Sequence, residues 1–257
     1  MRTSPPDRRA FLRQAFAVPA ALAAQANLPA SGALQVGPGS LRVVCVGGHP
    51  DDPESGSGGT LAAYAAHGHR VTIVYLTRGE RGIPGKSLDE AAAIRTAEAR
   101  TACRTIGATP VFAGQIDGAT EVTPSRAAEL RTLIDAASPD VVFTHWPIDT
   151  HPDHEAASLL TIRAWVAGNR RFPLYLFEVN TGSQTLGFTP TQYVDIAETR
   201  EKKKAALFAH RSQNGERIYR DHHEVIENFR GREARVAAAE AFVVLASARG
   251  AQKLPGT

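Results

Sequence analysis

The chain alternates between short, wholly apolar runs and longer stretches that carry one apolar face. LRVVCVGG (41–48) is a continuous valine-rich run, the pattern of a strand buried on both sides. GGTLAAYAAHG (58–68) predicts a short helix closed by Gly68, and HRVTIVYLT (69–77) predicts the next strand. RGERGIPGKS (78–87) is a loop by its glycines and proline. The alanine-rich stretch 87–107 predicts a helix with Ser87 as cap, Glu90 three residues on and Gly107 as terminator. Further strands are expected at 110–114, 139–146, 172–179 and 191–196, with a terminal apolar run at 241–246. Helices are expected at 123–137 (Thr123 as cap, Pro124 in the first position), 149–168, 199–210 and 225–239. Buried runs alternating with helices predict an α/β fold, three-layered and Rossmann-like, with a mostly parallel central sheet covered on both faces. In such folds the ligand crevice lies at the carboxyl ends of the strands.

Charge modifies this picture only at the front. The formal net charge is +3, and residues 1–26 supply all of it through four arginines (Arg2, Arg8, Arg9, Arg13) against Asp7. The remaining 25 basic and 25 acidic residues balance, so composition gives no case for nucleic acid or an anionic membrane as partner. Residues 1–26 join a basic region, a modest apolar stretch (15–24) and Ala24-Gln25-Ala26, the three-part layout of a removable export signal. Arg8-Arg9 before Ala10-Phe11-Leu12 resembles a twin-arginine signal, which predicts an exported, periplasmic or extracellular protein. The apolar stretch is too short to span a bilayer. Residues 27–40 form a short linker and 41–257 a single domain. Two cysteines cannot staple a chain of this length, so Cys45 and Cys103 are expected to be buried free thiols.

Two histidine–acid clusters stand out. GGHPDDPESGSGG places His49, Asp51, Asp52 and Glu54 directly after the first strand, and DTHPDH places Asp149, His151, Asp153 and His154 shortly after the fourth. Both fall where an α/β sheet builds its site. His49 and Asp52 are three residues apart, as are His151 and His154, so a single turn can aim each pair at one ion. Zinc favours imidazole and carboxylate ligands, and a catalytic site keeps one of its four positions open, so three ligands plus water is the useful arrangement. The adjacent Asp51 must point elsewhere, which frees it for proton transfer. The glycines that follow do not form a dinucleotide fingerprint, because Leu61 stands where G-x-G-x-x-G needs its last glycine after Gly56 and Gly58. They read instead as permitting close packing at a helix start.

At these motifs the sequence resembles the PIG-L/LmbE-like deacetylases, zinc-dependent hydrolases that remove N-acetyl groups, commonly from N-acetylglucosamine on inositol or another aglycone. The family's AHPDDE appears as GHPDDPE (48–54) and its HPDH is intact at 151–154. Weaker agreement lies in 76–82, 95–107, 202–213 and 239–245. The resemblance implies His49, Asp52 and His154 as zinc ligands, with iron(II) or cobalt(II) compatible with the same donors. It implies Asp51 as general base, His151 as oxyanion stabiliser and proton donor to the leaving amine, and Asp153 as the carboxylate that holds His151 and raises its pKa. Pro53 moves the motif's acid to Glu54, which leaves the ligands intact.

Arg78, Glu80 and Arg81, in the loop after the second strand, are candidates to bind sugar hydroxyls or an anionic aglycone. His145 is a candidate to line the pocket, and His210, with Ser212 and Gln213, to close one side of it. Lys202 to Lys204 read as a solvated helix face. The expected activity is deacetylation of an amino sugar or its conjugate, so the partner is a small-molecule or glycan substrate. The alternatives are metal-assisted phosphoester hydrolysis, which calls for a second metal at about 3.5–4 Å, or a carbohydrate-binding relative without catalysis.

Overall fold

The structure, a computed structural model, describes residues 39–245. The expected export signal, most of the linker and the last residues of the domain lie outside that range. The elements run β1 (Arg42–Gly47), α1 (Asp52–Ala66), β2 (Arg70–Tyr75), α2 (Leu88–Ile106), β3 (Ala108–Phe112), α3 (Pro124–Ala137), β4 (Val141–His145), α4 (Pro152–Ala167), β5 (Leu174–Phe177) and β6 (Gln192–Asp195). They continue with α5 (Arg200–Phe208), a 3₁₀ turn, α6 (Gly215–Ile218), a π-helical turn (Tyr219–His223), α7 (Glu224–Ala234) and β7 (Ala239–Leu245). Helix signals in the sequence are realised at the caps. Ser87 and Glu90 form a reciprocal capping box, Gly107 ends α2 in the left-handed conformation, and the Thr123 side chain caps α3.

Seven strands form one sheet in the order β3-β2-β1-β4-β5-β7-β6. The four pairings from β3 to β5 are parallel, and the two made by β7 are antiparallel. The alternating pattern therefore yields the three-layer, mostly parallel architecture, and each buried strand feeds a core on both sides. Val43 and Cys45 face α1, α2 and α5, packing with Leu61, Ala102 and Ala206. Val44 and Val46 face α3 and α4, packing with Leu130, Ile134 and Leu160. Cys45 and Cys103 are buried free thiols. Among the described residues no helix is long and apolar enough to cross a membrane.

The order of strands positions the site. From β1 the chain steps outward to β2 and β3, then returns to place β4 on the other side of β1. The connections that leave β1 and β4 thus lead to opposite halves of the sheet, which opens a crevice at the carboxyl ends of these two parallel strands.

Two expectations are corrected. The first helix begins at Asp52, six residues before the expected start, so Glu54 and the glycines belong to its opening turns. Glycine disfavours helix by about 1 kcal/mol in isolation, but here it lets α1 lie against its neighbours. A Cβ on Gly56 would collide with the Phe177 ring, and one on Gly59 would stand 2.7 Å from Ile196 Cγ2. The second correction concerns Lys203, which is not solvated: it is 2% exposed, with Nζ 2.9 Å from Glu227 and 2.8 Å from Glu240.

Candidate metal centre

His49 follows β1, and Asp52 opens α1 after the turn made by Pro50 and Asp51. Across the seam, His151 is the N-cap of α4 and His154 sits in its first turn. Pro152 occupies the first helical position, where its missing N–H is not needed. The two motifs, 100 residues apart in sequence, meet at Asp52. One carboxylate oxygen of Asp52 lies 3.2 Å from His49 Nδ1, and the other lies 3.3 Å from His154 Nε2. Donors around a tetrahedral ion with bonds of about 2.0–2.1 Å stand about 3.3 Å apart, so each of these two contacts matches a donor separation, through different oxygens of Asp52.

The far nitrogens carry a second signal. His49 Nε2 lies 2.9 Å from Asp153, and His154 Nδ1 lies 3.2 Å from Asp149. Each carboxylate is itself anchored. Asp153 accepts from Gly118 N at 2.7 Å and Thr120 Oγ1 at 2.6 Å, and Asp149 accepts from His151 N and Thr185 Oγ1, both at 2.9 Å. A carboxylate on the outer nitrogen fixes the imidazole tautomer and turns the inner lone pair toward an ion. Both histidines have this support, and both inner nitrogens face Asp52. The expected set of His49, Asp52 and His154 is not among the groups of donors that all lie within 4.8 Å of one another, although Asp52 touches both histidines. The groups that meet that spacing among the described residues, and could hold a divalent ion, are His49 with His151 and His154, Asp52 with His145 and His154, and His49 with Asp117, His151 and Asp153. In the second of these, His145 Nε2 already accepts the Gly48 N–H at 3.1 Å.

Electrostatics agree with a site that wants a cation. Burial opposes charge on His49, yet hydrogen bonds to Asp117, Asp153 and Asp52 hold its pKa well above the ordinary value. Against the same pull of burial, Asp52 and Asp149 raise His154 to about 9. Burial would raise the Asp52 carboxyl, but the charges on His154 and His145 keep it well below its usual range.

Asp51 stands on the wall of the cleft beside these groups. Its φ of 117° is a conformation that residues with side chains rarely adopt. Arg95, on α2, secures it by donating to Pro50 O at 2.6 Å and to Asp51 Oδ2 at 3.2 Å. Burial lifts the Asp51 carboxyl above its ordinary value, and the Arg95 charge restrains the rise. The cleft has a volume of roughly 480 Å³ and is also lined by Arg81, Asp117, His151, Asn180, Gln184 and Gln213.

A family model described as PIG-L, GlcNAc-PI de-N-acetylase matches residues 44–165, which span both motifs. A 1D-myo-inositol 2-acetamido-2-deoxy-alpha-D-glucopyranoside deacetylase of Actinosynnema mirum is 32% identical over 158 residues, covering 50% of this chain and 56% of that protein. The diacetylchitobiose deacetylase of Thermococcus kodakarensis is 30% identical over 193 residues, covering 69% of this chain and 72% of that protein. The chain belongs to the PIG-L/LmbE-like deacetylase family. A solved relative, the N,N'-diacetylchitobiose deacetylase of Pyrococcus horikoshii, superposes with a TM-score of 0.71 at 25% identity, covering 87% of this chain and 88% of that one.

Within this PIG-L/LmbE-like framework several expected roles move. The Asp153 carboxylate holds His49 and not His151, and only its backbone N–H reaches His151, donating to Nδ1 at 3.3 Å. Burial and the like charges of His49 and His154 lower the His151 pKa, the opposite of the expected rise. His145 does not line the cleft. It is buried, its ring stacked 4.4 Å from that of His154, and burial with the His154 charge lowers it to about 4. His210 is fully buried, 3.3 Å from Glu54 in the first turn of α1, and does not line the cleft, whereas Gln213 does. Glu54 takes the Tyr75 hydroxyl at 2.6 Å and pins the first turn of α1 to β2. Glu80 is buried, receives the Arg78 side chain and the backbone N–H of Asp117, and organises the loop from within. Of the three candidates in that loop, Arg81 is the one that lines the cleft. Arg95 and Asp117 were not anticipated. Arg95 lies in the middle of a helix, at the head of the 95–107 stretch of weaker family agreement, and Asp117 lies in a loop without a motif.

Proposed function

We propose that this protein is a zinc-dependent N-deacetylase that hydrolyses the acetamide of an amino sugar or amino-sugar conjugate. The observation that carries the reading is the arrangement around Asp52: two carboxylate-backed imidazoles turn their inner nitrogens toward one carboxylate, and a separate aspartate stands beside them on the cleft wall. The activities of the two sugar-deacetylase relatives support the substrate class. A zinc ion held by His49, Asp52 and His154 would acidify water and polarise the amide carbonyl, and iron(II) or cobalt(II) would suit the same donors.

The chain's own residues then divide the work. Asp51, its carboxyl lifted by burial, takes the proton from water as the oxygen attacks the acetamide carbon. His151 Nδ1 accepts a backbone N–H, which places the ring proton on Nε2. A neutral Nε2–H is thereby available to the oxygen that gains charge in the tetrahedral state. As the C–N bond breaks, Asp51 returns its proton to the nitrogen, giving the free amine and acetic acid, which loses its remaining proton to solvent as acetate. Arg95 holds Asp51 in place, and its charge favours the ionised carboxylate before the proton is taken.

The test is an acetate-release screen over N-acetylated sugars, run on the parent and on Asp51→Asn with metal content measured in parallel. The variant is expected to retain its metal and to lose roughly 10²–10⁴-fold in turnover. Equal turnover would remove Asp51 as base. Release of phosphate from esters, with no acetate from any amide, would overturn the deacetylase reading.

A further inference from the structure

Arg81 is the residue whose role the proposed chemistry does not absorb. Two guanidiniums line the cleft, and their situations differ. Arg95 is spent on Pro50 O and Asp51. The Arg81 side chain has no hydrogen bond or ion pair among the described residues, although its backbone N–H is tied to Asp117 Oδ2 at 3.0 Å. That tie fixes where the side chain starts. Its course is fixed by Gly118, over which it runs: a Cβ on Gly118 would stand 3.3 Å from Arg81 Cδ and 3.7 Å from Nε. The acid that holds its backbone is itself engaged, because Asp117 Oδ1 lies 3.3 Å from His49 Nε2 and Oδ2 accepts the Arg81 N–H. The other arginine of this loop, Arg78, is paired with Glu80 at 3.1 Å. The loop therefore neutralises one of its two arginines with its own buried glutamate and carries the other, exposed, to the cleft wall.

We infer that Arg81 binds an anionic group of the substrate, so that the favoured substrate is an N-acetylated amino sugar whose aglycone or ring substituent bears a carboxylate or a phosphate. This rests on the deacetylase reading and narrows its substrate class. The planar guanidinium presents paired N–H donors that match either anion in a bidentate fashion. Its stem lies along the wall formed by Asp117 and Gly118, beside the His49 imidazole, so the anion would sit to the side of the reacting acetamide. The contact would bind and orient the substrate and would take no part in bond making.

The experiment compares three N-acetylglucosaminides that share the acetamide: a methyl glycoside, a glycoside ending in a carboxylate and one ending in a phosphate. Acetate release is measured for the parent, Arg81→Gln and Arg81→Lys. The parent is expected to favour at least one anionic glycoside over the methyl glycoside by about tenfold in kcat/KM, the scale of one charge-assisted hydrogen-bonded contact. Arg81→Gln should bring that ratio to near one, Arg81→Lys should restore part of it, and added salt should reduce the parent's preference. The two anionic arms tell which source of negative charge is used. Turnover without preference in the parent, or a preference that survives Arg81→Gln, overturns the inference while leaving the deacetylase reading standing. No acetate from any of the three would count against the deacetylase reading itself.

Discussion

Two buried groups of charged side chains lie on either side of α1, and they are balanced in opposite ways. Toward the cleft, the ion-pair partners of Asp52, Asp117, Asp149 and Asp153 are all imidazoles. Toward β7, Lys203 sits between Glu227 and Glu240, Arg200 meets Glu227, and Arg230 meets Glu178 at 2.6 Å. A lysine or arginine carries its charge permanently, whereas an imidazole does so only when protonated and becomes a neutral ligand when it binds metal. The second group is complete as the chain makes it. The first is short of positive charge, and a divalent ion is what would complete it. Burial of charge thus marks a function only where the chain leaves the balance open.

The contrast can be broken from either side. The largest effect is expected from Lys203→Met, which strands two buried carboxylates. A loss of about 3–5 kcal/mol of stability follows from removing one partner of a buried pair, read as a fall in the melting temperature, while the folded fraction keeps its metal stoichiometry. An unchanged melting temperature would mean that the β7-side group is not held by its own charges. Asp149→Asn should act in the converse way. It removes the charge behind His154 and should weaken metal affinity by about 10–100-fold, measured by competition with a chelator, with little change in melting temperature in the metal-free protein. Metal affinity equal to the parent's would show that Asp149 does not tune the ligand.

A smaller and pH-dependent effect is expected at His223. It is buried beside Lys203, and burial together with the lysine charge lowers it to about 3. The folded protein keeps this ring neutral where the unfolded chain protonates it near 6.5. Stability from this group is therefore whole above pH 6.5 and declines as the pH falls toward 3. The decline should amount to on the order of 2 kcal/mol by pH 5. Chemical denaturation at pH 7 and pH 5 should show it in the parent and lack it in His223→Gln.

Much of this was legible in the chain. The valine runs and capped helices predicted the parallel half of the sheet, and the paired motifs predicted which residues would meet, because both follow strands whose carboxyl ends share an edge. Depth was not legible. His145 and His210 occupy positions that a linear reading assigns to a pocket rim, yet one is stacked on His154 and the other is buried against Glu54 of α1. Neither was Lys203, since a run of three lysines reads as solvent-facing until the partners on α7 and β7 are known. The start of α1 was hidden by glycines whose helical state depends on tertiary contact, and the antiparallel placement of β6 and β7 has no signature in an apolar run.

The glycine seam on α1 has a consequence that reaches the cleft. Because Gly56 and Gly59 offer no bulk to Phe177 and Ile196, the helix axis settles as near to the sheet as the backbone allows. The opening turn of that helix carries Asp52, and Asp51 immediately precedes it. Adding a methyl group at Gly59 would act as a shim under a tool rest. It would lift the tip that holds Asp52 and its neighbour while touching neither, so tuning of the proposed reaction is available from positions that never meet the substrate.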